Sequence, residues 1–163
     1  MDAVDPIRPF RISFVCTGNI CRSPMGEVIF RALAERSGVA ERFLVSSRGT
    51  QGYHVGEPAD PRTVVALAAA GYDGAAHRAA QVSPAEVADH DLLIALDRGH
   101  ERHLRRLGAD PQRLSRLTAF DPDRPAEPDV FDPYYSEQRA FDEVLAQVER
   151  SSTALLEDLI RRL

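Results

Sequence analysis

The sequence predicts a three-layer α/β domain, with four parallel strands in one sheet and helices on both of its faces. Short apolar runs alternate along the chain with segments whose apolar residues recur at helical spacing. Such alternation builds parallel sheets that are covered on both sides. The length of 163 residues, 44% apolar and 28% charged, suits one globular domain. We expect a single domain over residues 1–163, in which residues 1–9 form a loosely ordered N-terminus.

The first half of the chain holds two predicted strands, each followed by a helix. The apolar run at residues 11–15 predicts the first strand. Ser23 is a favourable N-cap and Pro24 is favoured at the first helical position, so the first helix is expected to begin there and to continue over residues 25–37. The second strand, a Gly-rich loop and the second helix are predicted at residues 43–47, 48–60 and 61–70.

The second half follows the same alternation and ends in a long helix. The run DLLIAL at residues 91–96 is the clearest buried strand. Residues 119–136 are rich in Pro and Asp, which predicts a loop. The remaining predicted elements are a helix at residues 98–107, a fourth strand at 113–117 and a closing helix at 137–163.

Charge and composition exclude several classes of protein. A formal net charge of −5 gives no general attraction to nucleic acid or to acidic lipid. No apolar run approaches the ~18 residues of a membrane span, and the first ten residues lack a signal-peptide core. Two cysteines do not make a disulfide scaffold. We expect a cytoplasmic protein, a monomer with a weak dimer left open; export without a signal peptide also stays open.

The strongest chemical signal is the loop that joins Cys16 at the end of the first strand to Arg22 before the first helix. Backbone N–H groups and the helix dipole make such a loop suitable for a phosphate-sized dianion. The same environment stabilises the thiolate of Cys16. Arg22 can hold two phosphoryl oxygens, and Ser23 can donate its hydroxyl to the sulfur. Gly18 and Asn19 tolerate a left-handed backbone.

A small buried hydrophobe at a strand end is the alternative role for Cys16, and bare C-x5-R spacing does not decide between the two. The string CTGNICRSP at residues 16–24 is far more specific. It resembles the loop of the low molecular weight protein tyrosine phosphatases, C-x-G-N-I-C-R-S-P. The resemblance covers most of the chain and includes the segments SRGT, HRAAQ and DPYY.

The resemblance implies strand order 2-1-3-4 and hydrolysis of phosphotyrosine or another aryl phosphate monoester, without metal or cofactor. The phosphoryl group would pass to Cys16 while Arg22 holds its oxygens. Asp132 would protonate the phenol, whose pKa is about 10, and then activate water. A turn residue is the alternative role for Asp132, as we expect of Asp121. In a Pro-kinked loop rimmed by aromatic rings, partial desolvation would favour the protonated carboxyl of Asp132.

Three tyrosines are expected to wall a slot deep enough for a phenol ring but too deep for phosphoserine. They are Tyr53, Tyr134 and Tyr135, whose alternative is ordinary surface or core tyrosine. The protein partner would therefore carry phosphotyrosine, and phosphate or another oxyanion would occupy the loop. The further substrate-binding residues that the resemblance implies are Thr17, Gly18, Asn19, Ile20, Cys21 and Ser23.

Other residues match the parts of the family pattern that support the loop. Asn19, Ser23, Ser47 and His77 resemble its hydrogen-bond network. Cys21 is expected to form a disulfide with an oxidised Cys16, which thiols reverse and which blocks further oxidation; a small loop side chain is its alternative. We expect structural roles, as helix caps or ion-pair partners, for Asp60, Arg62 and Asp97.

Three positions depart from the family pattern. Arg48 stands in place of Ala, and it is expected either to add charge near the phosphate entrance or to point to solvent. Gly26 also replaces Ala, at a cost of about 1 kcal/mol within a helix. Ser136 replaces Gly, which is expected to alter the turn after Tyr135.

Two enzymes of the same fold and one binding module are the rival hypotheses. Thioredoxin-coupled arsenate reductases need further cysteines, and this chain has none after Cys21. Protein arginine phosphatases carry Thr at the position of Ile20, where an apolar side chain suits an aryl ring. A phosphotyrosine-binding module would lack the nucleophile or the acid.

Overall fold

Four parallel strands form one sheet in the order β2-β1-β3-β4, as predicted. The computed structural model describes residues 8–163. Most of the predicted N-terminal segment 1–9 lies outside the described residues, while Arg8 pairs with Asp91 at 2.9 Å. The strands are β1 (Phe10–Cys16), β2 (Phe43–Gly49), β3 (Leu92–Ala95) and β4 (Leu114–Arg116).

Helices cover both faces of the sheet, which confirms the three layers. They are α1 (Arg22–Arg36), α2 (Pro61–Ala69), α3 (Pro84–Asp89), α4 (Arg98–Arg106) and α5 (Gln138–Arg162). The larger hydrophobic core lies between the sheet and α1, α2 and α5. A smaller core holds Val87 of α3 and Leu104 of α4 against the opposite face.

Two details of the prediction were wrong at helix starts. Ser23 is not the N-cap of α1, because the helix begins at Arg22 and Cys21 is the N-cap. The Ser23 hydroxyl turns instead towards the sulfur of Cys16, at 2.9 Å. The short helix α3 was not predicted, although Ser83 and Glu86 form a capping box at its start.

Three segments lie at the carboxyl edge of the sheet, where parallel sheets bind ligands. They are the segment after β1, the segment after β3 and part of the Pro- and Asp-rich segment. β1 ends at Cys16 and β3 ends one residue before Leu96. The Leu96 carbonyl accepts a 2.9 Å hydrogen bond from the amide of Val130, in the Pro- and Asp-rich segment. The segments 16–22 and 130–136 therefore meet at this edge; we call them the nucleophile loop and the acid loop, after the roles expected of Cys16 and Asp132.

Candidate active site

The nucleophile loop is held in shape from both sides. The Cys16 carbonyl accepts a 2.8 Å hydrogen bond from the amide of Thr50, and the Thr17 carbonyl accepts one of 3.0 Å from Gln51. Cys16 is buried, and its sulfur has a hydrogen-bonding partner in the Ser23 hydroxyl, 2.9 Å away in the first turn of α1. The predicted contact between Ser23 and the sulfur of Cys16 is thus present.

Asn19 organises the interior of the loop. Its φ of 58° lies in the left-handed region that Asn tolerates better than most residues. Its side-chain amide donates to the hydroxyls of Ser23 and Ser47 at 2.8 and 2.9 Å, and its side-chain oxygen accepts from the amide of Ala80. The ring of His77 lies 2.6 Å from the Asn19 carbonyl. The four residues predicted to support the loop therefore form one hydrogen-bonded cluster.

The cluster extends to a residue that the sequence analysis missed. Ser47 donates to the Glu27 carboxylate at 2.6 Å, and Arg31 binds the other oxygen of that carboxylate at 2.7 Å. Glu27 and Arg31 lie four residues apart on α1, a spacing at which opposite charges attract. The spacing was the only available signal, and it is too common to have pointed to the loop.

Arg22 is buried and anchored at several points. One terminal nitrogen donates to the Asp97 carboxylate at 3.0 Å and to the Val130 carbonyl at 2.9 Å. The other lies 3.7 Å from the Asp132 carboxylate. Asp97 also caps α4, so the expected roles of cap and ion-pair partner are both present. The guanidinium therefore links the nucleophile loop to the acid loop.

His100, a second residue missed from the sequence, reaches the same loop from α4. Its Nε2 lies 2.9 Å from the Thr17 hydroxyl, and its Nδ1 lies 3.1 Å from the amide of Asp97. Burial lowers the pKa of His100 to about 4, and the nearby charge of Arg22 acts in the same direction. In the neutral ring Nδ1 accepts from Asp97, so Nε2–H donates to Thr17.

Asp132 projects from the acid loop towards Arg22. Its carboxylate accepts a 3.1 Å hydrogen bond from the amide of Tyr134. The side chain is half exposed, so less of it is desolvated in the free protein than the aromatic sequence around it suggests.

A cavity of about 270 Å³ opens between the two loops. Tyr53, Tyr134 and Tyr135 all line it, with Tyr135 almost fully exposed and in edge-to-face contact with Tyr134 at 4.9 Å. His54, which the sequence analysis missed, adds a further wall. Its neighbour in sequence, Tyr53, was the only hint of this position.

The predicted substrate-binding residues of the loop divide into two groups. Asn19 and Ser23 are fully buried and do not line the cavity, so their side chains support the loop from beneath. Those that line the cavity with Cys16, Arg22 and Asp132 are Thr17, Gly18, Ile20 and Cys21.

The two cysteines are both free and buried. Burial raises the pKa of Cys21, and the charge of Asp60 adds to this effect. Cys21 is therefore held as a thiol in the same loop as Cys16.

Both roles that the sequence predicted for Arg48 are wrong. Its guanidinium binds the Glu86 carboxylate at 2.7 Å and the Ser47 carbonyl at 2.7 Å. Glu86 belongs to α3, the helix that was not predicted, so its partner was invisible in the sequence. The charge of Arg48 is neutralised away from the cavity rather than directed to the phosphate entrance or to open solvent.

Comparisons with known proteins agree with this geometry. Residues 11–163 match the family model described as low molecular weight phosphotyrosine protein phosphatase. The chain belongs to the low molecular weight protein tyrosine phosphatase family. Membership implies a phosphate-containing substrate and a loop that binds an oxyanion.

Individual members cover nearly the whole chain. A low molecular weight protein-tyrosine-phosphatase of Streptomyces coelicolor is 46% identical over 90% of this chain and 92% of its own length. Low molecular weight protein-tyrosine phosphatase A of Mycobacterium tuberculosis is 45% identical, with 90% of each chain covered. The crystal structure of YfkJ from Bacillus subtilis matches with a TM-score of 0.88 and 33% identity, covering 95% of this chain and 97% of that one.

Within residues 8–163 no helix is both long and apolar enough to span a bilayer. Nor does this part of the phosphatase bring together three or more His, Cys, Asp or Glu side chains as ligands for a metal ion.

Proposed function

We propose that this phosphatase hydrolyses phosphotyrosine in proteins through a phosphocysteine on Cys16. The observation that carries the proposal is the meeting of Cys16, Arg22 and Asp132 at one cavity walled by tyrosines. The family relationship supports the reaction, and the cavity supports an aryl substrate. The roles of individual residues in the two chemical steps are part of the proposal.

In the first step the Cys16 thiolate attacks phosphorus and the bond from phosphorus to the phenolic oxygen breaks. Arg22 and the loop amides hold the other three phosphoryl oxygens as charge develops on them. Asp132 gives its proton to the leaving phenolic oxygen. Its half-exposed carboxyl would lose water when an aryl ring enters between the tyrosines.

In the second step water hydrolyses the phosphocysteine. Asp132, now a carboxylate, takes a proton from water as the water oxygen attacks phosphorus. The sulfur–phosphorus bond breaks and the Cys16 thiolate returns. Inorganic phosphate then leaves the loop, and the Ser23 hydroxyl at 2.9 Å donates to the regenerated sulfur.

Variants of Cys16 and Asp132 test the proposal with p-nitrophenyl phosphate and a phosphotyrosine peptide. Cys16→Ser is expected to abolish turnover. Asp132→Ala is expected to keep substrate affinity and lose kcat, most strongly for poor leaving groups. A Cys16→Ser protein that still turned over an aryl phosphate would overturn the mechanism.

Two further assays of the parent protein test the related activities of the same fold. Arsenate with thioredoxin tests arsenate reduction, for which the chain lacks a further cysteine after Cys21. Phosphoarginine tests arginine phosphatase activity, which Ile20 in the cavity wall does not favour. We expect neither substrate to be turned over at a rate comparable to phosphotyrosine.

We further propose that the chain acts as one phosphatase domain, as a cytoplasmic monomer. Two free cysteines in one loop suit a reducing compartment. Sedimentation of the purified protein and fractionation of the native cell test these two points. A substrate-trapping pull-down with Cys16→Ser or Asp132→Ala would identify the phosphotyrosine protein.

A further inference from the structure

The first turn of α2 contacts both loops of the active site. The amide of Asp60, the N-cap of this helix, donates to the Ile20 carbonyl at 2.8 Å. The buried hydroxyl of Thr63 donates to the Cys21 carbonyl at 3.2 Å. One end of α2 is thus bound directly to the backbone of the nucleophile loop.

Arg62 makes the corresponding contacts with the acid loop. Its guanidinium donates to the carbonyls of Tyr134 at 3.0 Å and Ser136 at 2.7 Å. Its central carbon also lies over the ring of Phe141, 4.3 Å from the ring centroid, which places the guanidinium against α5. Because Arg62 binds the backbone carbonyl of Ser136, this contact does not depend on whether Ser or Gly stands at position 136.

Asp60 fixes the direction in which this guanidinium points. Its two carboxylate oxygens accept from the Nε and a terminal nitrogen of Arg62 at 3.0 and 2.8 Å. Burial alone would raise the pKa of Asp60, but the hydrogen bonds from Arg62 outweigh burial and lower it. The two side chains form a bidentate ion pair, which is the geometry that gives a guanidinium a defined orientation.

The acid loop is fixed independently on the other side of Asp132. Val130 is bound through its amide to Leu96 and through its carbonyl to Arg22. Asp132 itself makes one backbone hydrogen bond, to Tyr134, and leaves half of its side chain in solvent. Apart from the approach of Arg22 to its carboxylate at 3.7 Å, its position depends on the anchors at Val130 and at Tyr134 and Ser136.

We infer that Arg62, oriented by Asp60, is a positioning residue that sets the place of Asp132 relative to Cys16. This inference rests on the proposed role of Asp132 as the acid. Small displacements of a reacting group can cost about 100-fold in rate. Loss of the Arg62 contacts is therefore expected to weaken proton donation while the phosphate-binding loop keeps its own anchors.

The experiment measures kcat/KM of Arg62→Gln with three aryl phosphates of decreasing leaving-group acidity: 2,4-dinitrophenyl, p-nitrophenyl and phenyl phosphate. We expect a loss of about 10- to 100-fold for phenyl phosphate and of less than about threefold for the dinitrophenyl ester. Affinity for vanadate should stay within about twofold of the parent. Arg139→Gln, an exposed arginine on α5, is the matched control and should change none of these values.

A double variant separates positioning from general structural damage. In the Asp132→Ala background there is no acid to position, so adding Arg62→Gln should cost less than about twofold. A further loss in that background, or an equal loss with all three esters, would overturn the inference. If Arg62→Gln does not fold, the same series is run with Arg62→Lys, which keeps the charge but cannot reach both carbonyls and Asp60.

The controls distinguish two kinds of failure. Parent enzyme that releases no phosphate from any ester, or Cys16→Ser that still does, contradicts the proposed function. Active parent enzyme with an unaltered Arg62→Gln variant contradicts only the role of Arg62.

Discussion

Phe14 occupies the space that a side chain at position 26 would need. A Cβ atom placed on Gly26 would lie 2.5 Å from Cδ1 of the Phe14 ring, which is far inside contact distance. Phe14 is fully buried on β1 and its ring packs against that of Phe30 at 5.8 Å. The Gly at this position, where the family usually has Ala, is thus complementary to a large ring beneath the first turns of α1.

Gly26→Ala is therefore expected to destabilise the protein although Ala is the better helix former. The propensity gain is about 1 kcal/mol, while forcing a methyl group against a buried ring costs about 1–3 kcal/mol. We expect the free energy of unfolding to fall by about 1 kcal/mol net, measured by urea titration.

A double-mutant cycle with Phe14→Ala, which removes both ring atoms nearest to position 26, tests the cause. With the ring removed, Gly26→Ala should become neutral or stabilising, which gives a coupling free energy of at least about 1 kcal/mol. Equal effects of Gly26→Ala in both backgrounds would show that the ring is not responsible.

His100 is expected to make stability depend on pH in a defined range. Its pKa is lowered to about 4 in the folded protein, whereas in the unfolded chain it is about 6.5. Between about pH 6.5 and pH 4, His100 binds a proton in the unfolded state but not in the folded state. The free energy of unfolding therefore falls as pH decreases. The contribution is complete above pH 6.5, and a loss of up to about 3 kcal/mol accumulates by pH 4.

Urea titrations of the parent and of His100→Gln between pH 4 and 7 measure this contribution. The variant should lose less stability across that range, because Gln cannot be protonated. His103, whose pKa is also lowered by burial, is present in both proteins and cancels in the difference. Parallel curves for the two proteins would contradict the prediction.

Asn19 combines a left-handed backbone with three side-chain hydrogen bonds, and two substitutions separate these contributions. Asn19→Gly keeps the backbone conformation accessible and removes the bonds to Ser23, Ser47 and Ala80. Asn19→Ala removes the same bonds and adds the strain of φ 58°. Both should lower kcat/KM by at least about 10-fold, because the loop loses its support.

Stability then distinguishes the two Asn19 variants. The free energy of unfolding of Asn19→Ala should be about 1 kcal/mol lower than that of Asn19→Gly. Asn19→Ala should therefore unfold at a lower urea concentration. The reverse order would mean that backbone strain at this position is not significant.

The sequence predicted most of this site because its residues lie within one string. The nine residues that begin at Cys16 contain Cys16, Arg22 and two of the four residues that support the loop, Asn19 and Ser23, and each has a chemical reason visible without coordinates. Strands such as β3 were equally easy to predict, because an apolar run of that length fits few structures other than a buried strand.

What the sequence did not show depends on contacts between distant elements. Glu27 is an ordinary surface-type residue until β2 brings Ser47 to within 2.6 Å. His100 lies in the first turn of α4, and its contact with Thr17 is apparent only once the fold places the two residues side by side. The direction of Arg48 followed from α3, a helix of six residues, which is too short to reveal itself by periodicity.

Cys21 is expected to protect the nucleophile from peroxide, though slowly. Peroxide converts the Cys16 thiolate to a sulfenic acid, and the Cys21 sulfur then attacks it, forming the disulfide and releasing water. Attack requires the Cys21 thiolate, and burial raises the pKa of Cys21. Formation of the disulfide should therefore accelerate as pH rises, and thiol-reversible recovery should be more complete at pH 9 than at pH 7.

Cys21→Ser provides the comparison, because Ser preserves the size of the side chain and cannot form the disulfide. After a peroxide pulse and treatment with dithiothreitol, the parent should regain most of its activity and the variant much less. The pH dependence should be present in the parent alone, since it arises from the Cys21 thiol. Equal recovery of the two proteins at both pH values would mean that Cys21 is only a small buried side chain of the loop.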